Sequence, residues 1–324
     1  MTAGEARQYC ARLARSHYEN FHVVTFLLPA RLRQDFYNVY AYCRWADDLG
    51  DEAGGPERAT RLLEAWRGQL ELCYAMLRGA AAASGSLQSA IRNPKSAIPL
   101  HPVFVALAET IRGHDIPPQP FYDLITAFQQ DQRVTRYPTY ADVLGYCRYS
   151  ANPVGRLVLY LCGYRDDERQ RLSDFTCTAL QLANFWQDVR VDLEKGRVYI
   201  PLEDIERFRY SEEALGRLEF NARFGELMHF EVERARGLFL AGLPLVERVD
   251  RRLAADIELF SRGGLAILQR IERRGYDVLS ERPALTGRDK LRLLAGTVFR
   301  RMFGLMPAQR RPTGDRTAAG GGAP

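Results

Sequence analysis

From Arg7 onward, apolar side chains return every three or four residues, and the strict alternation of a half-buried strand is hard to find. A chain with that single periodicity buries its apolar surface by packing helix on helix, so the expected fold class is all-α. The clearest stripe follows Pro29, which can start a helix. Leu32, Phe36, Val39, Cys43 and Ala46 share one face, and Gly54, Gly55 and Pro56 end the segment. Further helices are expected over residues 57–77, 102–114, 121–132, 167–193, 211–240, 244–273 and 286–303. Residues 79–99, rich in Ala, Ser and Gly, read as a connector whose polyalanine start can extend the preceding helix. Between Tyr140 and Tyr164, Asn152, Pro153 and Gly155 interrupt a helix, by a kink or by the junction of two helices. The 324 residues, 46% of them hydrophobic, supply ample material for a large core. Residues 1–307 are expected to form one domain, and 308–324, rich in Gly, Ala, Pro and Arg, a disordered tail.

The net charge of +5 is a mild basic excess and not a nucleic-acid-binding signature, so no nucleic acid partner is expected. The excess is uneven: residues 288–316 carry eight Lys or Arg against Asp289 and Asp315. The segment 286–303 alternates cations with Leu291, Leu293, Leu294, Val298, Phe299, Met302 and Phe303. It suits a core helix with a basic outer face or a helix lying on a membrane surface. Six cysteines are dispersed without a CxxC pair, which fits reduced thiols in a cytoplasmic protein better than disulfides or a zinc site. The N-terminus shows no signal-peptide pattern, and no window offers the roughly 18 apolar residues of a spanning helix. There is no P-loop to support a nucleotide site.

Two rows of polar side chains carry the chemistry. In QLANFWQDVRVDLEKGRVYIP, Asn184, Asp188 and Asp192 lie four residues apart and so share a helical face. About 140 residues earlier, Tyr40, Arg44, Asp47 and Asp51 step by four, three and four, with Asp48 and Glu52 alongside. Either row alone is ordinary on a solvated helix. Together, facing a common apolar cavity, they can hold Mg²⁺, which takes oxygen ligands and usually binds one or two carboxylates plus a substrate phosphate. A diphosphate held that way becomes a better leaving group, because the metal neutralises the charge that grows as the carbon–oxygen bond breaks. The carbocation left behind needs a dry, aromatic-lined pocket, for which Phe21, Phe26, Tyr40, Tyr146, Tyr149 and Phe185 are candidates. Arg44, Arg148, Lys195 and Arg197 are available to grip phosphate oxygens.

Three ordered stretches, YAYCRWADDLGDE, DQRVTRYPTYADVLGYCRYSANPVG and QLANFWQDVRVDLEKGRVYIP, resemble the squalene and phytoene synthase family. The resemblance runs from about Tyr9 to the segment before Pro307 and implies an isoprenoid synthase type bundle of helices around a central cavity. It assigns Asp47, Asp51, Asn184, Asp188 and Asp192 to metal–diphosphate sites, and Arg44, Arg197 and Tyr199 to diphosphate contact. Tyr146 matches the family's proton-transfer tyrosine, and Gln181 is expected to line the cavity.

Two departures bear on substrate. SHYENF places Tyr18 and Asn20 where phytoene-type members carry small hydroxylated residues, with Phe21 beside them as a further expected substrate contact, and Val191 in DVRVD replaces an acid of the usual DxxED. SHYENF, DDLGDE and NFWQDVRVD together resemble the hydroxysqualene synthase branch of bacterial hopanoid biosynthesis. That implies loss of diphosphate from presqualene diphosphate and capture of the cation by water, with Mg²⁺ as cofactor and no NADPH. Head-to-head condensation of two farnesyl diphosphates is the alternative. Peripheral membrane contact through the basic C-terminal region and association with pathway enzymes are further expectations.

Overall fold

A computed structural model describes residues 1–16, 29–82, 100–284 and 286–287. The described residues form helices α1 (Ala3–Ser16), α2 (Arg33–Asp51), α3 (Pro56–Ala82), α4 (Pro102–His114), α5 (Gln119–Gln130) and α6 (Tyr140–Ser150). They continue with α7 (Asn152–Leu161), α8 (Asp167–Glu194), α9 (Leu202–Arg207), α10 (Glu212–Gly216), α11 (Ala222–Gly242) and α12 (Arg251–Arg273). Two short 3-10 turns, Ala30–Leu32 and Leu243–Glu247, precede α2 and α12. No strand occurs among the described residues, and a single parallel bridge ties Arg136 to Val198.

Local chemistry sets most boundaries. Thr139 and Asp142 form a reciprocal capping box at the start of α6, and Asp166 caps α8 by accepting from the Arg169 N–H. The predicted helix over 211–240 is two helices, because Asn221 turns extended and caps α11 with its side chain. The predicted helix over 244–273 likewise begins only at Arg251, where Asp250 accepts from the Arg252 and Leu253 N–H groups. Periodicity alone does not show such breaks, since apolar residues keep their spacing across them. The interruption near Asn152 is a junction: α6 ends at Ser150, α7 starts at Asn152, and Pro153 occupies the first turn. The polyalanine start of the connector extends α3 to Ala82. Residues 83–99, the segment 288–303 and the tail 308–324 lie outside the described residues.

Among the described residues three buried clusters hold the bundle, two of them large. One gathers Tyr42, Trp66, Phe104 and Phe121 from α2 to α5, the other Trp186, Phe224 and Phe239 from α8 and α11. Helices α7, α8 and α11 approach closely through glycine. A Cβ on Gly155 would lie 2.3 Å from Ser173 Oγ, and one on Gly242 3.2 Å from the Leu172 carbonyl. The C-terminal ends of α2 and α8 meet, with Arg197 beyond α8 3.5 Å from Asp51.

Candidate functional site

An apolar cavity of about 360 Å³ lies between α2, α7, α8 and α12. Phe36, Val39 and Tyr40 of α2 face Cys177 and Leu180 of α8 across it, and Ile257 and Phe260 of α12 close another wall. These are the positions that a three- and four-residue spacing turns to one side of each helix.

The chemical groups cluster at one end. Following α2 from Tyr40 toward its C-terminus leads to Arg44, Asp47, Asp48 and Asp51, and following α8 from Leu180 leads to Asn184, Asp188 and Asp192. The two rows share a field: Lys195 acts favourably on both Asp47 and Asp192. Arg44 pairs with Asp47 at 3.2 Å and with Asp48 at 2.5 Å. Asp188 is held by Arg282, which donates from Nε and, at 3.2 Å, from Nη2. Burial, and next the Asp51 carboxylate, push Asp47 up to about 6; burial and then Asp188 do the same to Asp192. Further positive charge at carboxylates raised in this way would favour their ionised form.

Behind the acidic rows stands a second polar group. The Tyr146 hydroxyl donates to Asp131 Oδ2 at 2.8 Å, and Asp131 Oδ1 is buried with no hydrogen-bond partner. Burial pushes Asp131 up to about 6, opposed by the Tyr146 hydrogen bond and by Arg197. Tyr199 stacks on Phe185, centroids 3.8 Å apart and planes 6° apart, and lies 5.8 Å from the Tyr146 ring. Tyr137 completes the group, 5.6 Å from both Tyr146 and Tyr199. Burial raises the hydroxyls of Tyr146 and Tyr199 far above the ordinary tyrosine range, so both stay protonated.

Of the residues expected at the site, Arg44, Asp47, Asp51, Asp188, Asp192, Lys195 and Arg197 come together, while Asn184 sits exposed on the same helix and Val191 is half-buried beside the acids. Tyr146, Phe185 and Tyr199 pack together as an aromatic group, and of the aromatics expected to line the pocket only Tyr40 does so among the described residues. Gln181 is half-buried next to Leu180 but is not among the described residues lining the cavity. Arg148 is exposed and rests 5.8 Å over the Tyr149 ring, apart from the acidic rows. Tyr18, Asn20, Phe21 and Phe26 lie outside the described residues. Sequence reasoning missed the parts played by Asp131 and Arg282. Asp131 ends α5 at the start of the DQRVTRYPTY stretch, whereas Arg282 is a loop residue 94 positions from its partner.

No three acidic, His or Cys side chains converge into a ready-made cage among the described residues. The donor chemistry nevertheless suits Mg²⁺: paired carboxylates and an amide on two facing helices, with the remaining coordination left to phosphate oxygens and water.

The squalene/phytoene synthase family profile matches residues 14–289. A phytoene synthase from Arthrospira platensis is 28% identical over 298 residues, 87% of this chain and 88% of that protein. A phytoene synthase from Thermus thermophilus is 31% identical over 287 residues, 87% of this chain and 89% of that protein. The crystal structure of squalene synthase HpnC from Alicyclobacillus acidocaldarius is 41% identical with a TM-score of 0.75, covering 85% of this chain and 96% of that one. A dehydrosqualene synthase crystallised with a ligand shares the fold at a TM-score of 0.77 and 22% identity, covering 93% and 98%.

Proposed function

The chain belongs to the squalene/phytoene synthase family, and from that premise we propose that it converts presqualene diphosphate and water to hydroxysqualene and diphosphate. The observation that carries the reading is the placement of two acidic rows, sharing the field of Lys195, at one end of an apolar cavity. Such a site binds a charged head and a hydrocarbon tail in one molecule. Two sequence features point within the family toward this reaction: Val191, which removes one acid from the metal motif, and the SHYENF segment. The similarity to a protein named squalene synthase HpnC supports the squalene side of the family.

Asp47, Asp51, Asn184, Asp188 and Asp192 would hold Mg²⁺ with the diphosphate. The metal, when bound, supplies the positive charge that stabilises the departing group. Arg44 and Arg197 bind the diphosphate oxygens and fix which carbon–oxygen bond faces the cavity. The apolar walls exclude bulk water, so the cation survives long enough to rearrange, and Phe36, Tyr40 and Phe260, which line the cavity, offer it π-faces. Tyr146 assists where water adds. No reductant enters this stoichiometry.

Incubating the purified protein with presqualene diphosphate and Mg²⁺ tests the reading. Hydroxysqualene is expected among the extracted lipids, and recovery of unchanged substrate overturns the assignment. The resemblance to phytoene synthases keeps one second reading in play, head-to-head condensation of prenyl diphosphates. Consumption of farnesyl diphosphate alone, with diphosphate release, is its mark.

No described helix is long and apolar enough to cross a membrane. The eight cations of residues 288–316 favour contact with anionic lipid, where substrate and product partition. Vesicle sedimentation of the chain with and without residues 288–324 tests this, and equal binding by both forms rejects it.

A further inference from the structure

Asp131 has a geometry that metal and diphosphate binding do not use. It lies at the C-terminal cap of α5, outside both acidic rows, and accepts the Tyr146 hydroxyl proton at 2.8 Å through Oδ2. Its Oδ1 is buried without a hydrogen-bond partner, an arrangement that costs stability if nothing ever satisfies it. Native proteins seldom leave such an oxygen in place without a use.

Most of the other site carboxylates are ion-paired; Asp192, like Asp131, makes no ion pair among the described residues. Asp47 pairs with Arg44, Asp51 with Arg197 and Asp188 with Arg282. Asp131 feels Arg197 only through space, along with the like charges of Asp51 and Asp47. A phenol that donates to a carboxylate turns its oxygen lone pairs the other way. Those lone pairs can accept a hydrogen bond from water.

We propose that Asp131 is the positioning residue through which Tyr146 takes up the proton released when water captures the cation, an inference that rests on the water-capture reading above. The water oxygen forms the new C–O bond with a lone pair. One of its O–H bonds breaks toward the Tyr146 oxygen while the Tyr146 O–H bond breaks toward Asp131. Cation, water and carboxylate become alcohol and carboxylic acid, and the phenol ends unchanged. Diphosphate departs in an earlier step and does not need this proton transfer. The basicity of the acceptor suits this role, because burial places Asp131 at about 6, close to the value at which a base is ionised near neutral pH and still takes a proton.

This separation of steps makes the proposal testable. Asp131→Asn is expected to release diphosphate from presqualene diphosphate but to form hydroxysqualene less often per diphosphate released, on the order of 10²-fold. The missing product appears as hydrocarbons or rearranged alcohols. Tyr146→Phe, which keeps the buried aromatic, is expected to shift the same ratio, and the double variant to shift it no further. Asp131→Glu restores part of the hydroxysqualene share. A purely structural role for Asp131 lowers both yields together and leaves the ratio at the wild-type value. An unchanged ratio in Asp131→Asn, or in Tyr146→Phe if the first variant does not fold, overturns the relay and leaves another base, such as the departing diphosphate, to take the proton. Failure of the wild-type enzyme itself to make hydroxysqualene overturns the underlying reading and the relay with it.

Discussion

Gly263 and Gly264 are neighbours in α12, yet alanine is expected to act oppositely at the two positions. A Cβ on Gly263 meets nothing within 4 Å, whereas one on Gly264 would lie 2.2 Å from Cζ and 2.9 Å from Cε1 of Phe239, and 3.1 Å from Cδ2 of Leu180. Phe239 is fully buried in the core shared by α8, α11 and α12 and has no open side to swing toward. Both replacements gain the helix preference of alanine over glycine, about 1 kcal/mol, so that gain cancels when the variants are compared. The difference between them is the cost of overpacking, which at so short a contact lies near the top of its usual range, about 2–3 kcal/mol. For a chain of this size it corresponds to roughly 3–4 °C in Tm. Thermal unfolding of the two purified variants beside wild type measures it directly. Gly263→Ala should melt slightly above wild type and Gly264→Ala below it. Since Leu180 is also a cavity wall, Gly264→Ala should lower activity while Gly263→Ala leaves it unchanged. Equal melting temperatures for the two variants would refute the helix-packing argument.

Three further outcomes follow from the site and the core. Asp188→Ala should lower turnover by on the order of 10²–10³-fold while leaving far-UV circular dichroism helical, and wild-type activity in that variant would contradict the metal role. Val191→Glu restores the usual acid and should move activity toward farnesyl diphosphate; competition between the two substrates reads the preference, and no change counts against the use made of that valine. Glu231, fully buried beside Asp204 and Arg234, is pushed by burial up to about 9, so the folded protein holds a proton there that the unfolded chain has lost above its ordinary value of 4.5. Stability from that group is therefore complete at acidic pH and declines as pH rises from about 5 toward 9. Glu231→Gln removes the decline, so its Tm relative to wild type should climb over that range, and a constant difference would show that Glu231 is already ionised.

The helices are largely legible in the sequence because one periodicity runs through the chain and each cap is a local event. The two differences in length, over 211–240 and 244–273, arise where Asn221 and Asp250 turn the backbone without disturbing the apolar spacing. Four-residue spacing finds both acidic rows, because that spacing puts side chains on one face. It does not reveal Asp131 or Arg282. Asp131 reaches Tyr146 across the turn between α5 and α6, and Arg282 meets Asp188 only because the chain after α12 returns to the C-terminal end of α8. Those pairings depend on tertiary approach and leave no periodic trace. Val191 is readable only against the motif it interrupts, since a valine in a helix is otherwise ordinary.

Running the reaction in ¹⁸O-labelled water tests the central claim most directly. If diphosphate leaves by carbon–oxygen cleavage and water then captures the cation, the hydroxysqualene carries one labelled oxygen and the released diphosphate carries none. Label in the phosphate, with presqualene alcohol as the lipid product, would mean that the bond broken is phosphorus–oxygen, and would contradict ionisation at this site.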